Sequence, residues 1–119
     1  MNKPKTELDK LEEYLINNRI TFERIDEEAV HDETRRYLIR PARHQICVPE
    51  EPPNCKWDAI CHPGSYGYEE GKLEIYGELV TEEDGDSVAG WLTADDVIER
   101  IEGRHGRSGS DQMAETNQE

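Results

Sequence analysis

Asp58 and the tripeptide Glu70-Gly71-Lys72 come nearest to a reaction centre in this 119-residue chain. Two carboxylates with a lysine at acid-x-Lys spacing suit a magnesium-dependent nuclease. The carboxylates would hold the metal and the lysine would position the attacking water. The signal is weak, because a chain with 28 acidic residues produces acid-x-Lys readily by chance. Cys47, Cys55, Cys61 and His62 bring zinc to mind, but zinc sites use closely paired ligands such as C-x2-C. No such pair occurs here, and Cys61 and His62, adjacent on a strand, would point to opposite faces. A Cys–His nucleophile would need a histidine within reach of one thiol and a group to orient it. The cysteines therefore read as small hydrophobes. The sequence predicts no catalytic residue, no metal and no cofactor, and the nuclease stands as the alternative to a non-enzymatic role.

The segment Pro63-Gly64-Ser65-Tyr66-Gly67-Tyr68 is the most distinctive. Its glycines admit positive φ and its tyrosines offer amphipathic contact area. It is no phosphate cradle, since G-x-x-x-x-G-K-[ST] is absent and Glu69 and Glu70 would repel phosphate. It would serve as a recognition loop, or more plainly fold back with Tyr66 and Tyr68 over the sheet.

Charge is the dominant feature. The net charge is −14. Between Tyr66 and Glu102, twelve acids face two bases, Lys72 and Arg100. Such a surface repels nucleic acid and membrane phosphate and attracts basic proteins. Glu69, Glu70, Glu74, Glu78, Glu82, Glu83, Asp84 and Asp86, with Tyr66 and Tyr68, are the predicted protein-binding residues. The plainer reading is a solvated face that keeps a small protein in solution. Arg35, Arg36, Arg40, Arg43 and His44 form a counter-patch. It would be neutralised internally by acids such as Asp32 and Glu33, would contact the acidic face of a second copy in a homodimer, or would touch nucleic acid against the remaining negative field.

The length suits one domain. Hydrophobic residues make up 34%, so any core must be small and clustered. Residues 1–103 are expected to form the domain, and 104–119, nearly devoid of apolar residues, a disordered tail. No signal peptide or membrane span is visible. Three cysteines without secretory context point to reduced thiols in a cytoplasm.

Several elements follow from periodicity. Thr6 to Asn18 reads as a helix with Thr6 and Asp9 as a capping box and Leu8, Leu11 and Leu15 as its buried stripe. Asn17-Asn18 would stop it. Ile20 to Asp26 reads as a strand, and Glu27 to Thr34 as a loop. Arg35 to Arg40 is ambiguous between a strand and an irregular crossing. His44 to Val48 and Cys55 to Cys61 read as an antiparallel hairpin around the turn-rich PEEPPN. Lys72 to Val80 fits strand and helix alike, with a helix-like turn preferred. Thr81 to Ser87 reads as an acidic loop. Thr93 to Glu102 is a second helix, capped by Thr93 and Asp96, buried through Val97, Ile98 and Ile101, and stopped at Gly103. Trp57 and Trp91 are assigned to the core. The sum is an α+β fold: a small antiparallel sheet with one face covered by an N-terminal and a C-terminal helix.

The stretches RHQICV, KWDAICHPGSYGYEEGKLEIYG and DSVAGWLTADDVIERI resemble small acidic proteins encoded in phages and prophages of Firmicutes. The similarity covers about Thr6 to Glu102 and is most specific in GSYGYEEG. It implies an intracellular, mobile-element origin and carries over no catalytic residues. The chain departs from the similar sequences at Lys72, where they have an apolar residue, and this weakens any scheme using Lys72 as a base. Together, charge and resemblance point to a non-enzymatic binder of a basic host or phage protein. Its most concrete form is an inhibitor of a restriction or CRISPR effector.

Overall fold

The computed structural model describes residues 4–108. Helix α1 (Glu7–Asn17) leads into β1 (Glu23–Glu27), β2 (Val30–Asp32), β3 (Tyr37–Arg40), β4 (Arg43–Val48), β5 (Trp57–Ile60), β6 (Leu73–Gly77) and β7 (Val88–Leu92), and α2 (Ala94–Ser108) is the last element among the described residues. Short 3-10 turns lie at Tyr68–Glu70 and Glu82–Asp84. All pairings are antiparallel. Five strands form one sheet in the order β1-β4-β5-β6-β7, and β2 pairs only with β3. This is the α+β fold expected. Among the described residues no helix is long and apolar enough to cross a membrane.

The alternation of strand side chains creates the core. Ile46, Ala59, Ile75 and Ala89 lie opposite one another across β4, β5, β6 and β7, and all four are buried. Leu8, Leu11 and Leu15 of α1 and Ala94, Val97 and Ile101 of α2 cover that row. Both predicted capping boxes form. Asp9 N donates to Thr6 Oγ1 and Thr6 N to Asp9 Oδ2, both at 3.0 Å. Thr93 N donates to Asp96 Oδ2 at 2.9 Å, and Asp96 N donates to Thr93 Oγ1 at 3.1 Å. The helices also meet through polar groups. Ala94 N, an orphan donor of the first turn of α2, donates to Glu7 Oε1 at 2.6 Å. Burial would raise the Glu7 pKa, but the bonds from Ala94 and Lys10 outweigh it and hold the group below the usual value. Arg24 ties edge strand β1 to α1, donating to Asp9 at 2.8 Å and Glu12 at 3.0 Å.

Several expectations need correction. The α1 stop is a Schellman-type end: Ile20 N donates to Leu15 O and Arg19 N to Ile16 O. Arg19, at φ +59°, takes the left-handed position that was expected of an Asn. The strand after α1 begins only at Glu23, while Ile20 and Phe22 pack against the core before it. The expected loop over Glu27 to Thr34 contains β2, and the ambiguous Arg35 to Arg40 contains β3. Lys72 to Val80 is a strand through Gly77, not a helix-like turn, because Leu73 and Ile75 share the core face. Gly103 does not end α2, which runs on to Ser108. From residue 109 the predicted tail lies outside the described residues. Trp57 is buried, but Trp91 is 55% exposed.

Candidate functional site

Trp91 is exposed because the sheet bends it outward. Leu73 pairs with Leu92 and Ile75 with Ala89, so Glu74 alone on β6 faces both Gly90 and Trp91 on β7. That is a β-bulge on the edge strand, a device that re-aims a side chain. Trp91 sits at φ +56°, uncommon for a bulky residue and costly by about 1–2 kcal/mol. Its ring stacks on Tyr66, with centroids 5.3 Å apart and planes 14° from parallel. Tyr66 is itself 49% exposed. The loop thus does fold back onto the sheet, at edge strand β7, but Tyr66 and Tyr68 both stay partly exposed rather than entering the core. Tyr66 pairs with Trp91 as a two-ring plate facing solvent.

The chain around the plate is built to hold it. Trp91 N donates to Tyr66 O at 3.3 Å, and Tyr66 N donates to Glu74 at 2.7 Å. A Cβ on Gly90 would lie 2.4 Å from the Tyr66 Cβ, and one on Gly67 would lie 2.9 Å from the Trp91 Cα. Gly67 also needs its φ of +98°. Glycine at both positions is what lets the loop and the edge strand touch.

Tyr66 and Trp91 form the ridge between two hollows. One, of about 520 Å³, is also lined by Asp84, Asp86 and Arg100. The other, of about 270 Å³, is lined by Tyr68, Glu69 and Glu70. The structure thus brings seven of the ten predicted residues to one region: Tyr66, Tyr68, Glu69, Glu70, Glu74, Asp84 and Asp86. Their roles differ. Asp84 is bound by Arg100, and that bond, with one from Thr81 N, holds its carboxyl far below the usual range. Glu74 holds the loop backbone. Glu70 lies 3.4 Å from Lys72. Glu82 and Glu83 are exposed on the neighbouring 3-10 turn, where Glu83 lines a separate hollow with Glu99 and Arg100. Glu78 lies just beyond β6. The anionic field is therefore gathered in part, with Asp86 on one side of the plate and Glu69 and Glu70 on the other.

The arginine patch divides. Arg43 pairs with Glu51 at 3.5 Å, and His44 Nδ1 lies 2.8 Å from Asp26, so neither uses Asp32 or Glu33. Asp32 instead accepts from the backbone of Thr34 and Arg35 at 2.9 Å. Among the described residues Arg35, Arg36 and Arg40 form no ion pair.

The alternative chemistries fare as follows. Asp58 faces away from the helices, is bonded by Gln45 at 2.6 Å, and pairs across the ladder with Tyr76. Burial first, and then the Glu74 charge, raise its pKa. Lys72 lies four residues before Tyr76, roughly 13 Å along the strand. Among the described residues no group of three or more His, Cys, Asp or Glu side chains is placed to hold a metal ion. Sequence reasoning missed one alignment: Asp26, His44 and Cys61 stand opposite one another across β1, β4 and the end of β5, and Cys61 N donates to His44 O at 3.0 Å. His44 and Cys61 line a cavity of about 390 Å³ with Thr6, Leu8, Arg24 and Tyr68. Yet burial and the Glu7 carboxylate raise the Cys61 pKa, the opposite of an activated nucleophile. Among the described residues no hydrogen bond joins its thiol to His44.

The bulge and the unpaired arginines were also missed. Gly90-Trp91 inside an otherwise apolar strand is the available signal for the first. No protein-family model, curated protein or solved structure matches this chain.

Proposed function

We propose that this chain is a non-enzymatic binding protein that captures a cationic segment of a partner protein at the Tyr66–Trp91 plate. The carrying observation is the stacked pair itself: two half-exposed rings, presented by a bulge at an energetic cost, between Asp86 and the Glu69–Glu70 turn. Residues held in strained backbone at a surface cluster at functional positions. An arginine or lysine laid over such rings gains about 0.5–2 kcal/mol from the ring quadrupole. Carboxylates on both flanks would attract and orient it and speed its arrival.

The resemblance to phage and prophage proteins supports a host nucleic-acid-binding protein, such as a restriction or CRISPR effector, as the partner, within a bacterial cytoplasm. Such proteins present the basic surfaces that a −14 chain selects. A pull-down from host lysate at low and high salt tests the reading, with Trp91→Ala as the control. Recovery of a basic protein at low salt, lost with the variant, is the expected result. A basic partner bound equally well by the variant, or one indifferent to salt, overturns it.

A further inference from the structure

The hairpin β2–β3 continues the β1–β4 ladder out beyond the sheet. Glu27 pairs with Arg43, and Val30 with Arg40 in the same register. The break between them falls where Pro41 has no N–H to give. The ribbon then turns through Asp32, whose carbonyl accepts from Arg36 N at 2.6 Å, with Arg36 at φ +62°. Nothing covers the arm among the described residues. Every residue of β3 is exposed: Tyr37 is 48%, Leu38 52% and Ile39 58% exposed, and Val30 opposite is 37%. A two-stranded ribbon of this kind is at best marginally stable alone in water, and its open edges invite pairing.

We propose that this arm docks on the acidic surface of a second copy of the same chain, carried by the exposed Glu82–Glu83 turn, in a symmetric exchange of two arms. Charge complementarity selects that occupant. Arg35, Arg36 and Arg40 form no ion pair among the described residues, while the rest of the molecule is strongly anionic. Over Val30–Arg40 three arginines exceed Asp32 and Glu33 by one charge, so two arms laid against each other would meet with like net charge. Nucleic acid would meet the repulsion of the whole −14 chain. The exchange sets the arm's unpaired arginines against carboxylates. An isologous pair of such contacts closes as a dimer.

Sedimentation of the full chain tests this at about 0.05 M and about 0.5 M salt, between which the Debye length falls roughly threefold. A dimer at low salt is expected, with its dissociation constant at least about tenfold weaker at high salt. Arg36→Glu/Arg40→Glu and Glu82→Lys/Glu83→Lys should each be monomeric, with far-UV circular dichroism unchanged. Mixed together they should dimerise again, because each arm then meets a surface of opposite sign. A wild-type monomer at both salts overturns the proposal. So does a dimer that both variants leave intact, or a mixture that fails to associate. So too does a monomer that binds an oligonucleotide through the arm, with binding lost in Arg36→Glu/Arg40→Glu. None of these outcomes bears on the Tyr66–Trp91 plate, so the two readings stand or fall separately.

Discussion

Arg100 donates from both terminal nitrogens to Asp84, at 2.9 Å to each carboxylate oxygen. The same guanidinium also donates to Leu79 O at 2.9 Å. One side chain of α2 therefore fixes the acidic turn that leads into edge strand β7. It also takes one of the twelve carboxylates out of the binding field, so the net charge overstates what a partner would meet.

This pair makes stability depend on pH in a defined direction. The Asp84 pKa is depressed on folding, chiefly by the Arg100 bond and then by Thr81 N. Its contribution is fully present above the ordinary carboxylate pKa of about 4 and is lost as pH falls below it. Both side chains are largely shielded, with 26% and 14% of their surface exposed. Asp84→Asn should cost about 1–3 kcal/mol at neutral pH. The gap from wild type should shrink steadily below about pH 4. Thermal melts at pH 7 and at successively lower pH check it. A gap that stays constant with pH would contradict the assignment.

The two tryptophans should report the local field separately. Trp57 is 7% exposed and Trp91 is 55% exposed. Caesium ion should therefore quench Trp91 better than iodide does at low salt, because Asp86, Glu69 and Glu70 flank its ring. The difference should collapse as salt screens the carboxylates. Trp57 should be quenched by neither. Stern–Volmer plots on Trp57→Phe and Trp91→Phe isolate the two signals. Equal quenching of Trp91 by both ions would mean that the carboxylates do not act on the plate.

Much of this architecture was legible because it rests on local rules. The capping boxes at Thr6 and Thr93, the leucine stripe of α1 and the β4–β5 hairpin follow from residue types at fixed spacings. Lys72 to Val80 is ambiguous in sequence because Leu73, Tyr76 and Val80 also satisfy a helical period; the core row through Ile75 decides for a strand. Trp91 leaves the core expected of it because hydrophobicity predicts burial on average, while a one-residue bulge reverses the side on which a residue lies. Half of the site, the tyrosine–glycine loop and its carboxylates, was visible as composition. The other half, the Trp91 that completes it, depends on a cross-strand register that no local pattern encodes.

Thiol chemistry offers a third check. Cys47 is fully buried, and its pKa is pushed up to about 12 by burial first and then by Cys55 and Asp58. Burial and Glu7 also raise that of Cys61. Since the thiolate is the reacting form, neither should be alkylated readily at neutral pH. Iodoacetamide at pH 7 should label Cys55 first and Cys47 only on unfolding, as read by peptide mass mapping. Rapid labelling of Cys61 at pH 7 would reopen the Asp26–His44–Cys61 row as a reactive centre.

Backbone strain at Trp91 predicts how two variants should differ. Trp91→Ala keeps the left-handed conformation with a side chain, whereas Trp91→Gly removes the Cβ that makes it costly. The glycine variant should be the more stable of the two by up to about 1 kcal/mol, despite glycine's greater freedom in the unfolded chain. Both should lose partner capture. Chemical denaturation compares them. If Trp91→Ala were the more stable, the left-handed backbone would not be the state the chain adopts.

Gly90 allows structure and function to be separated most sharply. Its backbone is not left-handed, so alanine is tolerated there conformationally, but the new Cβ would stand 2.4 Å from the Tyr66 Cβ. The cheaper response is for the loop to move Tyr66 outward rather than for β7 to leave β6, where Ala89 and Leu92 remain paired. Gly90→Ala should then cost at least about 1–3 kcal/mol, the usual penalty for overpacking, since the clash falls on the root of Tyr66 and lifting it breaks the Trp91 N–Tyr66 O bond. It should also abolish the Tyr66–Trp91 stack, seen as loss of near-ultraviolet circular dichroism from the aromatic pair, and with it the capture of a basic partner. A variant that keeps the stack signal and still fails to bind would place recognition elsewhere on the acidic half. One that loses the stack and binds normally would show that the rings are ornamental to binding and that the carboxylates alone suffice.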